Sequence, residues 1–440
     1  MPDTPATAPA PSSPATAPAP SSTAAGPAPS STAAAPPAEE LFVSILLGGE
    51  GPDPYGAYRR LRAAAPVLRT QGGALVLTRY DDCDAALRHR GLGKAREPLA
   101  ARLAGGTDEH ARRALAWMRR TMLFSDPPDH TRLRRLVSSA FTVRHVDELQ
   151  RAISDRTDRL LDALAAQPGA DFMAAVALPL PVNVIADLLG VPDADREPFT
   201  PLIHDVTALL EPYVDAAALA RAVAAQAELA TYFGDLLAEK RRWPEADLLS
   251  RLAASRDDDK LDDEEMIAAS VLLFGAGFET TTNLLGNGLR ALLGAPEQVD
   301  LLRERPDLVP AAVEEMLRYD SPIQIDGRTA LEPVTVAGTD LPAGQLVIML
   351  LGAANRDPDR FTEPDRFDVT RDDGAHLAFA TGIHFCLGAH LARLEAAVVL
   401  TRMLTRFGRI ELAGDPQPRP GLNPRGLSRL PVILGEARVT

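Results

Sequence analysis

The stretch FATGIHFCLGAHLARLE, Phe379 to Glu395, holds Cys386, one of only two cysteines in the chain. A thiol in that setting has three fates. Buried among apolar neighbours, it is a small structural hydrophobe. Activated by a base, it is a nucleophile; His384 lies two residues away, but no oxyanion-hole signature accompanies it. Ionised, it is a metal ligand. One isolated thiolate cannot build a zinc or iron–sulfur centre, which needs several ligands at short spacing. It suffices for a cofactor that brings its other ligands, as haem does. The flanks suit that third fate. Gly382 and Gly388 allow a tight turn and close approach to a flat ring. A helix beginning near Leu387 directs its positive end at the sulfur.

Other residues carry chemistry at telling spacings. EEMLR places Glu315 and Arg318 on one helix face, and PDRF supplies a further guanidinium, Arg366. Alone, such a pair is a surface salt bridge worth about 0–1 kcal/mol. AGFETTT (Ala276–Thr282) joins Gly277, Glu279 and Thr280 on a helical pattern. The plain interpretation is a helix with Thr back-bonding; the alternative is an acid and a hydroxyl able to pass protons. HTRLR sets His130 and Arg134 four residues apart, and GRTA adds Arg328. Single groups of this kind are usually solvated, but Arg is also suited to bind carboxylates bidentately.

These residues need elements to hold them. The 440-residue chain is 46% hydrophobic and 24% charged, an ordinary globular mixture. Its net charge of −14 argues against nucleic-acid binding. Two cysteines encode no disulfide framework. No apolar run of about 18 residues reads as a membrane span, and the N-terminus does not read as a signal peptide; a cytoplasmic protein is expected. Residues 1–38 are almost entirely Ala, Pro, Ser and Thr, with ATAPAPSS repeated at Ala6 and Ala15, and are expected to be a disordered tail. Residues 39–440 are expected to form a single domain. LDDEEMIAASVLLFGAGFETTTNLLGNGLRALLGAP, Leu261 to Pro296, is the longest helical pattern, acidic in its first turn and apolar on most faces near its middle, so it should run through the core. Long helical patterns also fill roughly 145–190 and 216–240, while 200–215 reads as an apolar segment broken by Pro212. VTVAG and QLVIMLL read as strands. The expected class is mainly α with a small β portion.

FATGIHFCLG resembles the haem-binding loop of the cytochrome P450 family, Phe-Gly-x-Gly-x-His-x-Cys-x-Gly, with Ala380 standing where the pattern has its first Gly. The other motifs match in order, so the likeness runs from about Asp53 to Leu434 and is most like soluble, actinomycete-type bacterial members. It implies the family fold, with haem b between the long helix and the Cys386 helix. Cys386 becomes the axial ligand, with Phe379 and Gly388 beside the cofactor. His130, Arg134, Arg328 and His384 are placed at the haem propionates. Glu315, Arg318 and Arg366 form a structural triad, and Gly277, Glu279 and Thr280 form the oxygen-activating segment, with Gly277 leaving room for dioxygen.

The implied reaction is monooxygenation: hydroxylation or epoxidation of a bulky apolar natural product, a polyketide- or macrolide-like secondary metabolite of the kind met in antibiotic biosynthesis. Loops near 90–120, 200–215 and 321–327 should line its pocket, with Phe274, Ala276, Ile323 and Ile325 as walls. No dinucleotide fingerprint or flavin domain is present, so electrons should come from a separate ferredoxin and ferredoxin reductase. For an acidic ferredoxin, Arg132, Arg135 and Arg393 are candidates for a steering patch. A monomer is expected. The rival interpretations are a haem-thiolate enzyme of oxidative coupling or peroxygenation, and a non-enzymatic haem-binding protein.

Overall fold

The longest element sets the frame. In a computed structural model of the chain, a helix runs from Asp263 to Leu293, about 46 Å at 1.5 Å per residue. Its start is encoded locally: the Asp262 carboxylate accepts from the Glu265 N–H while the Glu265 carboxylate accepts from the Asp262 N–H, a capping box that satisfies two otherwise orphaned donors. Its middle is buried on most faces, as the apolar pattern requires. The helices Pro179–Leu189, Asp193–Thr207, Ala216–Arg242, Val309–Tyr319 and Ala389–Arg406 pack around it. The structure describes residues 37–49, 51, 53–94, 109–138, 141–211, 213–254 and 261–435.

The β portion is small. One five-stranded sheet has the order Val67–Arg69, Leu75–Leu77, Leu346–Leu350, Ile325–Ala330, Leu92–Gly93. The central Leu346–Leu350 strand is parallel to Leu75–Leu77 and antiparallel to Ile325–Ala330, with Arg328 opposite Val347. Leu346–Leu350 is an unbroken apolar run buried at every position, because helices and loops cover both its faces. The pair Val334–Val336 and Thr339–Leu341 forms a separate ribbon, matching the VTVAG expectation.

Several boundaries differ from expectation. A helix begins at Pro37 and runs to Leu46, so packing starts two residues inside the expected tail; Phe42 and Ile45 are buried. Residues 1–36 lie outside the described residues. The 145–190 pattern is broken into Val143–Glu148, Gln150–Ala165, a π-helical turn Met173–Ala177 and Pro179–Leu189. Pro168 and Gly169, the latter at φ +82°, account for the widest break. The first half of the 200–215 segment belongs to the Asp193–Thr207 helix, which holds Pro198 and Pro201 inside it and buries Ile203 and Val206. Pro212 lies outside the described residues. Among the described residues no single helix is long and apolar enough to cross a membrane.

Candidate functional site

The Cys386 loop is shaped by its backbone. The Cys386 N–H donates to the Phe379 carbonyl at 3.0 Å, and the Phe385 N–H donates to the Gly382 carbonyl at 3.1 Å. Two residues take left-handed conformations, Gly382 at φ +73° and Ala380 at φ +54°. Gly382 has no alternative: a Cβ there would lie 2.7 Å from the Leu87 carbonyl oxygen. Ala380 adopts a conformation that glycine takes at no steric cost. Gly388 is the N-cap of the Ala389–Arg406 helix, two residues later than expected for its start. Burial pushes the Cys386 thiol up, while the Gly388 N–H and the guanidiniums of Arg134 and Arg393 favour the thiolate. Phe379, Cys386 and Gly388 line a cavity of about 330 Å³.

Across that cavity lie Ala276 and Thr280 of the long helix. The Thr280 hydroxyl donates to the Ala276 carbonyl at 2.8 Å and the Thr281 hydroxyl to the Gly277 carbonyl at 3.2 Å. Glu279 is buried; its carboxylate pairs with Arg419, and His204 Nδ1 lies 3.0 Å from its Oε2 without hydrogen-bond alignment. Burial, then Arg419, lowers the His204 pKa against the opposing charge of Asp205. Gly277 lines the same cavity and also meets a second constraint. A Cβ there would sit 2.8 Å from Ile185 Cγ1, so its bare Cα admits the neighbouring helix.

A second set of groups gathers unsatisfied donors. His130 and His384 lie with ring centroids 4.3 Å apart and planes tilted by 57°, and Nε2 of each is buried without a partner. Burial, then the positive charges of Lys94 and Arg328, hold the His384 pKa down to about 2. Arg328 gives Nη1 to Asp326 Oδ2 at 2.8 Å and to the Gly327 carbonyl at 2.9 Å, leaving Nη2 buried and unpaired. Arg134 Nη2 donates to the Phe385 carbonyl at 2.6 Å. Lys94 and Asp326, which sequence reasoning missed, join this set with Nζ 2.9 Å from Oδ1. Orphaned buried donors are costly unless an acceptor arrives. They are the donor set that two carboxylates of a flat cofactor need. Among the described residues no group of three or more His, Cys, Asp or Glu can hold a metal ion. Cys386 thus suits a metal that brings its own equatorial ligands, and the residues present fit haem.

Behind the loop, Arg318 grips Glu315 bidentately, Nε to Oε2 at 2.7 Å and Nη2 to Oε1 at 2.8 Å, both side chains almost fully buried. The third member is not Arg366. Its side chain is 58% exposed beside Glu363 and Asp368 at 3.5 and 3.8 Å. Its carbonyl accepts from Arg318 Nη2 at 3.2 Å. Arg371, from FDVTR five residues on, reaches Glu315 instead, with Nε 3.2 Å from Oε2 and the side chain 9% exposed. The turn at Glu363, at φ +45°, is closed by the Arg366 N–H on the Glu363 carbonyl, and the Arg366 side chain is left outside.

Phe274 is likewise corrected as a pocket wall. It is fully buried among Phe199, Phe233 and Phe278, because position 274 lies on the opposite side of the helix from 276 and 280. Ala276, Ile323 and Ile325 do line the cavity, as do Met122–Phe124 and Thr207–Glu211 in part. Residues 95–108 of the expected 90–120 loop lie outside the described residues. Arg132 and Arg393 are not free charges: Arg132 pairs with Glu265, and Arg393 with Glu314 at 2.6 Å while its guanidinium lies 4.6 Å from the Phe379 ring centroid. Arg135 is exposed.

Fold and site together fit a haem-binding protein with a cysteine at the cofactor. The cytochrome P450 family model matches residues 73–432. The chain is 42% identical over 402 residues to cytochrome P450 107B1 of Saccharopolyspora erythraea, covering 87% of this chain and 95% of that one. It is 40% identical over 394 residues to the cytochrome P450 monooxygenase PikC of Streptomyces venezuelae, covering 86% and 91%. The solved structure of P450BioI with a fatty-acyl-ligated acyl carrier protein superposes with a TM-score of 0.81 at 36% identity, covering 87% and 98%. The chain belongs to the cytochrome P450 family, and it is an enzyme of that family with a haem-iron cofactor, acting with dioxygen, small-molecule substrates and redox partners.

Proposed function

We propose that this enzyme is a monomeric, cytoplasmic monooxygenase that hydroxylates or epoxidises a bulky, mainly apolar natural product, a polyketide- or macrolide-like secondary metabolite. A separate ferredoxin and ferredoxin reductase deliver its electrons. The observation that carries this reading is one apolar-walled cavity bounded by Cys386 on one side, by Ala276 and Thr280 on the other, and by the unpaired donors of His384 and Arg328. Haem b bound there supplies reductive activation of dioxygen. Cys386 would supply a thiolate ligand to the haem, the Gly388 N–H favouring the ionised sulfur. His130, Arg134, Arg328, His384 and Lys94 would hold the propionates. Thr280 holds a proton at its hydroxyl, and Glu279 resupplies it from the solvent side once freed from Arg419. Ile323, Ile325 and Ala276 orient an apolar substrate and exclude water.

Two variants test this. Cys386→Ala should abolish the red-shifted absorption of the reduced, CO-bound protein; a thiolate-type spectrum in that variant would end the ligand assignment. Thr280→Ala should retain haem and substrate binding but divert reducing equivalents from product to peroxide. Unchanged coupling would remove Thr280 from proton delivery.

A further inference from the structure

The charged groups of the cavity are unevenly placed. Lys94, Arg134 and Arg328 gather with Asp326 where two carboxylates of the cofactor fit. The remaining charged lining residues are Glu211 and Glu279. Glu279 is matched by Arg419. Among the described residues Glu211 has no cation of its own: Arg419 is the one guanidinium there that acts on it, and that group already serves Glu279.

Glu211 is held in a specific way. Its Oε2 accepts from the backbone N–H groups of Leu422 and Asn423, both at 3.0 Å. Burial pushes the Glu211 carboxyl up, while the two backbone donors and Arg419 favour its ionised form, and an arriving cation would favour that form further. Its Oε1 is seated against Gly421, whose φ is +101° and where a Cβ would fall 2.1 Å from that oxygen. Among the described residues no donor is found for Oε1. Leu209, Leu210, Asn423 and Pro424 surround it on the same cavity wall. This is a preorganised carboxylate, half-buried in an apolar wall, with one oxygen committed to the backbone and one uncommitted.

We propose that Glu211 is a recognition site for a positively charged nitrogen, so that the substrate is an apolar molecule bearing an amine or ammonium group. The proposal rests on the monooxygenase reading above and narrows its substrate class. A cation at Glu211 pairs the carboxylate that Arg419 leaves uncompensated. Beside the apolar Leu209, Leu210 and Pro424, such a pair is poorly screened and fixes which end of a hydrophobic molecule faces the Cys386 loop. A neutral hydroxyl would use Oε1 as an acceptor but leave the charge unmatched, and a carboxylate would be repelled.

The test uses the haem-loaded, full-length enzyme and three ten-carbon probes: decyltrimethylammonium, decan-1-ol and decanoate. The quaternary ammonium cannot ligate iron through nitrogen, so a shift in the haem absorption spectrum reports occupation of the cavity. Wild type should bind decyltrimethylammonium at least about tenfold more tightly than either other probe. Glu211→Gln should bring that preference to within about twofold, with haem content and thermal midpoint unchanged, because its amide oxygen still accepts from Leu422 and Asn423. Glu211→Asp, which keeps the charge, should retain a preference for the cation. General attraction of cations to an acidic protein survives Glu211→Gln, since one charge in a net −14 is removed. A preference that persists in Glu211→Gln therefore overturns the proposal, as does wild type without one. If no probe shifts the wild-type spectrum while the reduced CO complex absorbs as a thiolate-ligated haem, the recognition site is refuted and the monooxygenase reading stands. Loss of the thiolate-type spectrum would instead overturn that reading.

Discussion

Ala380 shows what a single residue contributes to the ligand loop. Its φ of +54° is costly for an L-residue, by about 1–2 kcal/mol, and the family pattern has glycine there. Ala380→Gly relieves that cost but adds about 0.5–1 kcal/mol of unfolded-chain entropy. A net stabilisation of up to about 1 kcal/mol is expected in urea unfolding of the haem-loaded protein. Destabilisation, the usual result of Ala to Gly elsewhere, would mean that the loop conformation is otherwise. A sharper contrast separates two arginines. Arg371→Ala removes a buried partner of Glu315 and should cost about 3 kcal/mol, with faster haem loss. Arg366→Ala removes an exposed side chain and should stay within about 0.5 kcal/mol. The reverse ranking of thermal midpoints would restore Arg366 to the triad.

At the scale of the element, the long helix presents two functional faces, and its phase decides what each residue does. Phe274 and Phe278, four residues apart, sit in the aromatic cluster with Phe199 and Phe233. Ala276 and Thr280, also four apart, face the cavity. Phe274→Ala should therefore cost about 3–5 kcal/mol through a cavity in the core, while the stably folded fraction keeps its ligand affinities. Ala276→Leu should do the opposite, with stability changed little and spectral titrations with apolar ligands abolished. A Phe274 variant that altered ligand preference at unchanged stability would contradict this assignment of faces.

Across the whole molecule, packing begins at the Pro37–Leu46 helix. Deleting residues 1–36 should leave the thermal midpoint and haem content unchanged. Deleting through Leu47 also removes buried Phe42 and Ile45, an expected loss of about 3–6 kcal/mol. Equal midpoints for the two truncations would show that this helix contributes nothing. Long-range charge acts at the same scale. With Arg132 and Arg393 neutralised by Glu265 and Glu314, two of the three guanidiniums expected to steer an acidic donor are spent. The net charge of −14 then dominates the encounter. Electron transfer from an acidic ferredoxin should accelerate from low to moderate salt as repulsion is screened. A rate that falls with salt would reveal a local basic patch.

What the sequence determined by itself is local. The turn and helix start around Cys386, the capping box of the long helix, the Glu315–Arg318 pair at i,i+3 and the apolar β runs all depend on neighbours within a few residues, so spacing encodes them. The matched motifs also carried the family and the mainly helical class. What only the tertiary structure decided is which distant group each of these meets. Periodicity marks a helix face as apolar without saying whether it meets the core, as at Phe274, or a cavity, as at Ala276. Sequence order offers two arginines to Glu315, and the turn at Glu363 selects Arg371. Arg419 reaches Glu279 across 140 residues, and Leu422 reaches Glu211 across 211. Lys94 meets Asp326 because an antiparallel pair, Leu92–Gly93 on Thr329–Ala330, brings their strands side by side. Such pairs depend on the path of the chain between them, and their charges gain their effect only when folding removes the water that would otherwise screen them.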